Sequence, residues 1–137
     1  MSMGERAKAV QVVSGRLDQW ARAFSNRDLD SLAAYYHHGP ELSVIWPDGR
    51  RTAGWREEST TQREFLANAA HLSLTASDVT VDVVALDIAV AGFFAQRDLV
   101  VGARRSVCRG PGTSVWVRES GGEWRIRALQ TACANSP

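Results

Sequence analysis

No apolar run in the sequence is long enough for a transmembrane helix, and the first residues, Met1 to Arg6, are polar where a secretory signal needs an apolar core. Charge of one sign is also missing: 16 Lys and Arg stand against 15 Asp and Glu, a formal net charge of +1. That balance gives no electrostatic reason to expect a nucleic-acid or membrane partner. Cysteine is scarce. Cys108 and Cys133 have no metal-ligand spacing, and in a protein expected to be cytoplasmic they are read as free thiols. No glycine-rich phosphate loop, nucleophile elbow or P-loop occurs, which speaks against nucleotide chemistry. Repeats, linkers and low-complexity stretches are absent too. The 137 residues, 45% hydrophobic and 23% charged, therefore read as one domain, 1–137, with a sizeable core.

The first half of the chain carries helical periodicity. Val10, Val13, Leu17, Trp20, Ala21 and Phe24 recur at intervals of three and four, which predicts an amphipathic helix from about Glu5 to Ser25. Asp28 is a credible N-cap for a second helix with Leu29, Leu32, Ala33 and Tyr36 on one stripe, ended by His37-His38-Gly39-Pro40. Leu42 to Trp46 suits a strand, Pro47-Asp48-Gly49-Arg50 a turn, and Arg51-Thr52-Ala53 a short return strand. A third helix ends near Ala70. Thr61-Gln62-Arg63-Glu64 matches a capping box, so the regular helix starts either there or earlier, and Arg56 to Thr60 reads equally as a helical turn or a loop.

From Leu72 the pattern changes to strands. Leu72 to Val84, Ile88 to Val101 and Ala103 to Cys108 are β-like runs, and Gly110-Pro111-Gly112 is expected to break or bulge the chain. Two alternating runs around Ser120-Gly121-Gly122 then predict a hairpin over Thr113 to Gln130. In its second arm Trp124, Ile126, Ala128 and Gln130 share one phase, expected to face inward. Helices first and neighbouring strands later argue for an α+β protein with an antiparallel sheet. Both alternate sets of Val90 to Ala95 are apolar, as in a strand covered on both faces. Helices cover one face of a sheet, so the other is expected to meet a second subunit in a homodimer.

These landmarks together resemble the nuclear transport factor 2-like superfamily, with its SnoaL-like and ketosteroid isomerase-like members. The residues that carry the resemblance are Trp20 to Asp30, Leu32, Tyr36, Gly49, Gly54-Trp55 and Thr113 to Ile126 with its Gly-Gly-Glu-Trp-Arg-Ile turn. It covers roughly Val10 to Gln130. The resemblance implies a cone, in which a strongly bent antiparallel sheet wraps around helices and leaves a largely apolar cavity. It also implies homodimers packed through the sheet. Such a scaffold hosts many unrelated reactions as well as non-catalytic modules, so function has to be argued from the site.

Isomerases of this superfamily pair a carboxylate base on the first strand with an oxyanion hole of tyrosine and protonated aspartate. Aligning Asp28 with the aspartate after the first helix puts Trp20 in the tyrosine's place, and Trp46 stands where a carboxylate is needed. An indole donates one hydrogen bond and abstracts no proton. A second pattern places two histidines on the last strand, where this chain has Ala128 and Gln130. What remains is a set of large residues suited to a flat apolar ligand: Trp20, Tyr36, Trp46, Trp55 and Trp116, each of which also suits the core, with Gln130 to orient a ligand or water. His71 and Asp98 are the candidate acid–base residues, against the plainer readings of a helix-end histidine and a solvated strand end. His37 and His38, adjacent in sequence, are read as helix-end residues and not as metal ligands. The expectation is a small apolar organic ligand, with no metal or cofactor, in a cytoplasmic homodimer. Two readings stand: cofactor-free acid–base catalysis, or a non-catalytic binding or association module. The first requires His71 or Asp98 to point into a cavity beside Gln130 and Trp46.

Overall fold

The computed structural model describes residues 1–134. Helix α1 spans Met3–Ser25 and starts on a complete capping box, in which Glu5 N–H donates to Ser2 Oγ and Ser2 N–H to Glu5 Oε1. Its apolar stripe, Val13, Leu17, Trp20, Ala21 and Phe24, is buried. Helix α2 is short, Leu29–Ala33, and Asp28 caps it by accepting from Ser31 N–H. The stripe reaching Tyr36 suggested a longer helix. The backbone instead leaves it to pair with the last strand: Ile126 N–H donates to Tyr35 O, and His37 N–H donates to Ile126 O. That pairing fixes Tyr36 in the interior, 1% exposed.

Strands β1 (Ser43–Ile45) and β2 (Arg51–Ala53) follow, then helix α3 (Trp55–Asn68). The remaining strands are β3 (His71–Ala85), β4 (Ile88–Val101), β5 (Arg104–Arg118) and β6 (Trp124–Thr131). They form one curved six-stranded sheet in the order β2-β1-β6-β5-β4-β3, antiparallel except where β1 runs parallel to β6. The α1 stripe packs on the inner face of this sheet, and together they form the core. No helix among the described residues is long and apolar enough to cross a membrane.

Four details decide or depart from the sequence pattern, and each bears on the site. First, α3 starts at Trp55, so Arg56 to Thr60 is helical and the Thr61 box lies inside the helix. Gly54, at φ 86°, takes the N-cap position, in the left-handed region that favours glycine. Second, β5 runs unbroken through Gly110-Pro111-Gly112. A Cβ on Gly112 would strike the Phe93 ring, so this glycine admits an inward aromatic.

Third, the register between β5 and β6 shifts by one residue between Val115 and Trp116, where Val115 pairs with Ala128 and Trp116 with Ile126. This bulge in β6 reverses the side-chain alternation. Trp124 and Ile126 are buried as expected, but Leu129 is the next buried residue and Gln130 is exposed. Fourth, Cys108 and Cys133 are joined in a disulfide and are not free thiols. The chain beyond β6 keeps pairing with β5, through Ala132 N–H to Pro111 O and Ala134 N–H to Arg109 O. This brings the two Cα atoms within 5.1 Å, a separation that a disulfide spans. Sequence spacing carries no trace of that register.

Candidate functional site

A pocket opens among α1, β1, α3 and the inner face of the sheet, with about 520 Å³ of empty space counted out through its mouth. Trp20 and Phe24 from α1, Tyr36, Val44 and Trp46 form much of an apolar wall, completed by Leu74, Ala95 and Leu129 from the sheet. Three ionisable side chains interrupt it: Glu58, Arg97 and the Tyr36 phenol.

Glu58 is 1% exposed. Because α3 is helical from Trp55, Glu58 and Gln62 lie one turn apart on its buried face. Glu58 Oε1 accepts from Trp46 Nε1–H at 2.9 Å and from Thr52 Oγ–H at 2.7 Å, and Oε2 accepts from Gln62 Nε2–H at 2.8 Å. One carboxyl thus ties α3 to β2 and to the end of β1. Desolvation disfavours its charge, the three donors and Arg50 favour it, and burial prevails, raising its pKa above the usual carboxylate range. Gln62 Oε1 is buried without a partner.

The second polar element is a pair. Trp20 Nε1–H donates to Tyr36 Oη at 2.7 Å inside the core. The phenol is pushed far above its ordinary pKa, first by burial and then by the nearby Glu58 charge, and it stays neutral. Having accepted from the indole, its hydroxyl keeps a proton to donate. Behind it, Trp55 stacks on Tyr36 with ring centroids 5.5 Å apart and on His38 at 4.6 Å.

Of the residues picked out from the sequence, Trp20, Tyr36 and Trp46 line the pocket. Trp55 backs Tyr36. Trp116 is fully buried elsewhere in the core and donates to Ser114 Oγ at 2.9 Å. Gln130 is turned outward by the β6 bulge. His71 is exposed at the start of β3, opposite Val100. Asp98 forms an ion pair with Arg105 at 3.2 Å, and that contact holds its carboxyl below the usual range. Neither His71 nor Asp98 lines the pocket, and neither stands beside Trp46. In β4 the inward phase runs through Ala95, Arg97 and Leu99, so Asp98 faces the other side. His37 is held by Glu41 and Glu119. Glu58 and Arg97 were not singled out by the sequence.

A family model described as SnoaL-like domain matches residues 13–131. No curated protein sequence matches the chain. Among solved structures, one named as a dehydratase of the NTF2-like family from Streptomyces avermitilis superposes with a TM-score of 0.84 at 16% identity, covering 95% of this chain and 99% of that one. A hexachlorocyclohexane dehydrochlorinase (LinA) type 2 gives 0.85 at 11% identity, over 98% and 90%. A protein from Xanthomonas campestris named as a calcium/calmodulin-dependent protein kinase II association domain gives 0.76 at 17% identity, over 91% and 87%. At these identities the likeness is one of fold.

Proposed function

Because the chain belongs to the SnoaL-like domain family of nuclear transport factor 2-like proteins, we propose that its pocket binds a small, mainly apolar organic molecule on which Glu58 performs cofactor-free acid–base chemistry. The reaction classes that suit it are isomerisation, cyclisation and dehydration. The observation that carries this reading is a carboxyl 1% exposed in a largely aromatic wall, with its pKa raised by burial. In its ionised form Glu58 takes a proton from a carbon next to a ligand carbonyl. The electron pair of the broken C–H bond moves onto the carbonyl oxygen. Tyr36 donates to that oxygen, and the Trp20 N–H behind it strengthens the bond by polarising the phenol. Glu58 then returns the proton to another carbon, or to a leaving hydroxyl that departs as water.

The experiment is hydrogen–deuterium exchange of carbon acids in D₂O, followed by NMR over a panel of small cyclic ketones. Exchange accelerated by the native protein and abolished in Glu58→Gln supports catalysis. The three hydrogen bonds that join α3, β1 and β2 through Glu58 favour a second reading, in which the carboxyl is a structural tie and the pocket binds without reacting. Ligand binding unchanged in Glu58→Gln, with no exchange in either protein, selects that reading. A reducing compartment disfavours the Cys108–Cys133 bond, so the bond speaks against the cytoplasmic location expected from the sequence; thiol trapping in the native cell tests this, and two reduced thiols would favour the cytoplasm after all.

A further inference from the structure

Arg97 is out of keeping with its surroundings. The inward phase of β4 is Ala89, Ala91, Phe93 and Ala95, then Arg97, then Leu99, and every other member of that row is a buried apolar residue. Its partners across the sheet are Leu74 on β3 and Cys108 on β5, both of which also line the pocket. The guanidinium lies over the Phe65 ring, 5.2 Å from its centroid, and Nε is buried with no hydrogen-bond partner. Among the described residues no carboxylate forms an ion pair with it. Asp48 acts on it only through space, and Glu58, on the same pocket, does not figure among the charges that shift it. Desolvation lowers its pKa, yet an arginine stays protonated in a protein.

A half-buried cation without a bonded counter-ion has lost part of its hydration, and that loss is repaid when an anion with matching geometry arrives. We propose that the pocket is built for a carboxylic acid, whose carboxylate lies against the Arg97 guanidinium while its apolar body packs among Phe24, Trp46 and Trp20. The inference rests on the reading of this pocket as a site for an organic molecule and names the chemical class of that molecule. The two Nη groups at the end of a guanidinium form two parallel bonds to a carboxylate, which a neutral amide or ester does not reproduce. The ligand is then held by its charge at the sheet and presents the rest of its skeleton toward Glu58 and Tyr36.

The test is isothermal titration of the full chain with matched pairs: benzoate and benzamide, phenylacetate and phenylacetamide, 2-naphthoate and 2-naphthamide. The carboxylate of at least one pair is expected to bind about tenfold or more tightly than its amide. That preference is expected to be lost in Arg97→Gln and partly kept in Arg97→Lys. The native comparison stands even if a variant fails to fold. Amides binding as tightly as acids, or a preference for acids surviving in folded Arg97→Gln, overturns the anionic class and leaves the pocket reading intact. Failure of every acid and every amide to bind overturns both.

Discussion

The indole N–H of Trp46 meets Glu58 Oε1 at 2.9 Å, so an acid reaches the pocket although the first strand is followed by a tryptophan. The carboxyl enters from α3, not from the strand, and the indole holds it. Removing it leaves the Trp46 N–H, the Thr52 hydroxyl and a Gln62 N–H buried without acceptors. Glu58→Ala is therefore expected to cost roughly 3 kcal/mol or more of stability by urea unfolding.

Glu58→Gln behaves differently. Its carbonyl still accepts from Trp46 and Thr52, so only the bond to Gln62 is disturbed. The sign of the pH effect follows from the raised pKa. Between the unfolded and folded values the native state binds more protons than the unfolded chain, so stability falls as pH rises through that window and levels off above it. Urea midpoints measured across pH are expected to show this fall in the native protein and to lose the Glu58 contribution in Glu58→Gln.

Tyr36→Phe strands the Trp20 N–H in the core, at a cost of about 1 to 2 kcal/mol. Trp20→Phe combined with Tyr36→Phe is expected to cost less than the sum of the two single changes. Strict additivity in that cycle would mean that the bond contributes nothing.

The Cys108–Cys133 bond closes a loop of 25 residues, for which chain entropy gives about 3.5 kcal/mol. Cys133→Ser is expected to lower the urea midpoint accordingly. Cys108, Thr131 and Ala132 all border the pocket, so ligand affinity is expected to fall in the same variant. Unchanged affinity would show that the tail does not shape the mouth.

The outer face of β4 presents Ile88, Val90 and Phe94, with Phe94 40% exposed. We propose this face as the homodimer contact. Light scattering coupled to gel filtration is expected to give a dimer for the native chain and a monomer for Phe94→Glu. A native monomer at micromolar concentration contradicts it.

Much of this architecture was readable from periodicity, because α1 and the β5–β6 hairpin express their burial in regular alternation. The site was harder to see. Glu58 lies in Arg56 to Thr60, a stretch with no apolar residue to reveal a period, and its helix is set by the chain's turn at Gly54 and its packing. Gln130 looked inward because alternation was extended through Ala128, while the one-residue bulge leaves no compositional mark in Arg-Ala-Leu-Gln. Arg97 could have been found: continuing the apolar phase from Ala91 through Phe93 and Ala95 lands on it. Because both alternate sets of Val90 to Ala95 are apolar, composition there does not mark which face is inward. The disulfide depends on a register between the tail and β5 that only the folded sheet supplies.

The central claim is that Glu58 is a buried, titrating acid facing the pocket, and its hydrogen-bond partner reports on it. The ¹⁵N resonance of the Trp46 indole, assigned by comparison with Trp46→Phe and followed across pH, measures that ionisation directly. One transition is expected, with a midpoint above the ordinary glutamate range and absent from Glu58→Gln. A midpoint within the ordinary range, or a transition that survives in Glu58→Gln, would contradict it.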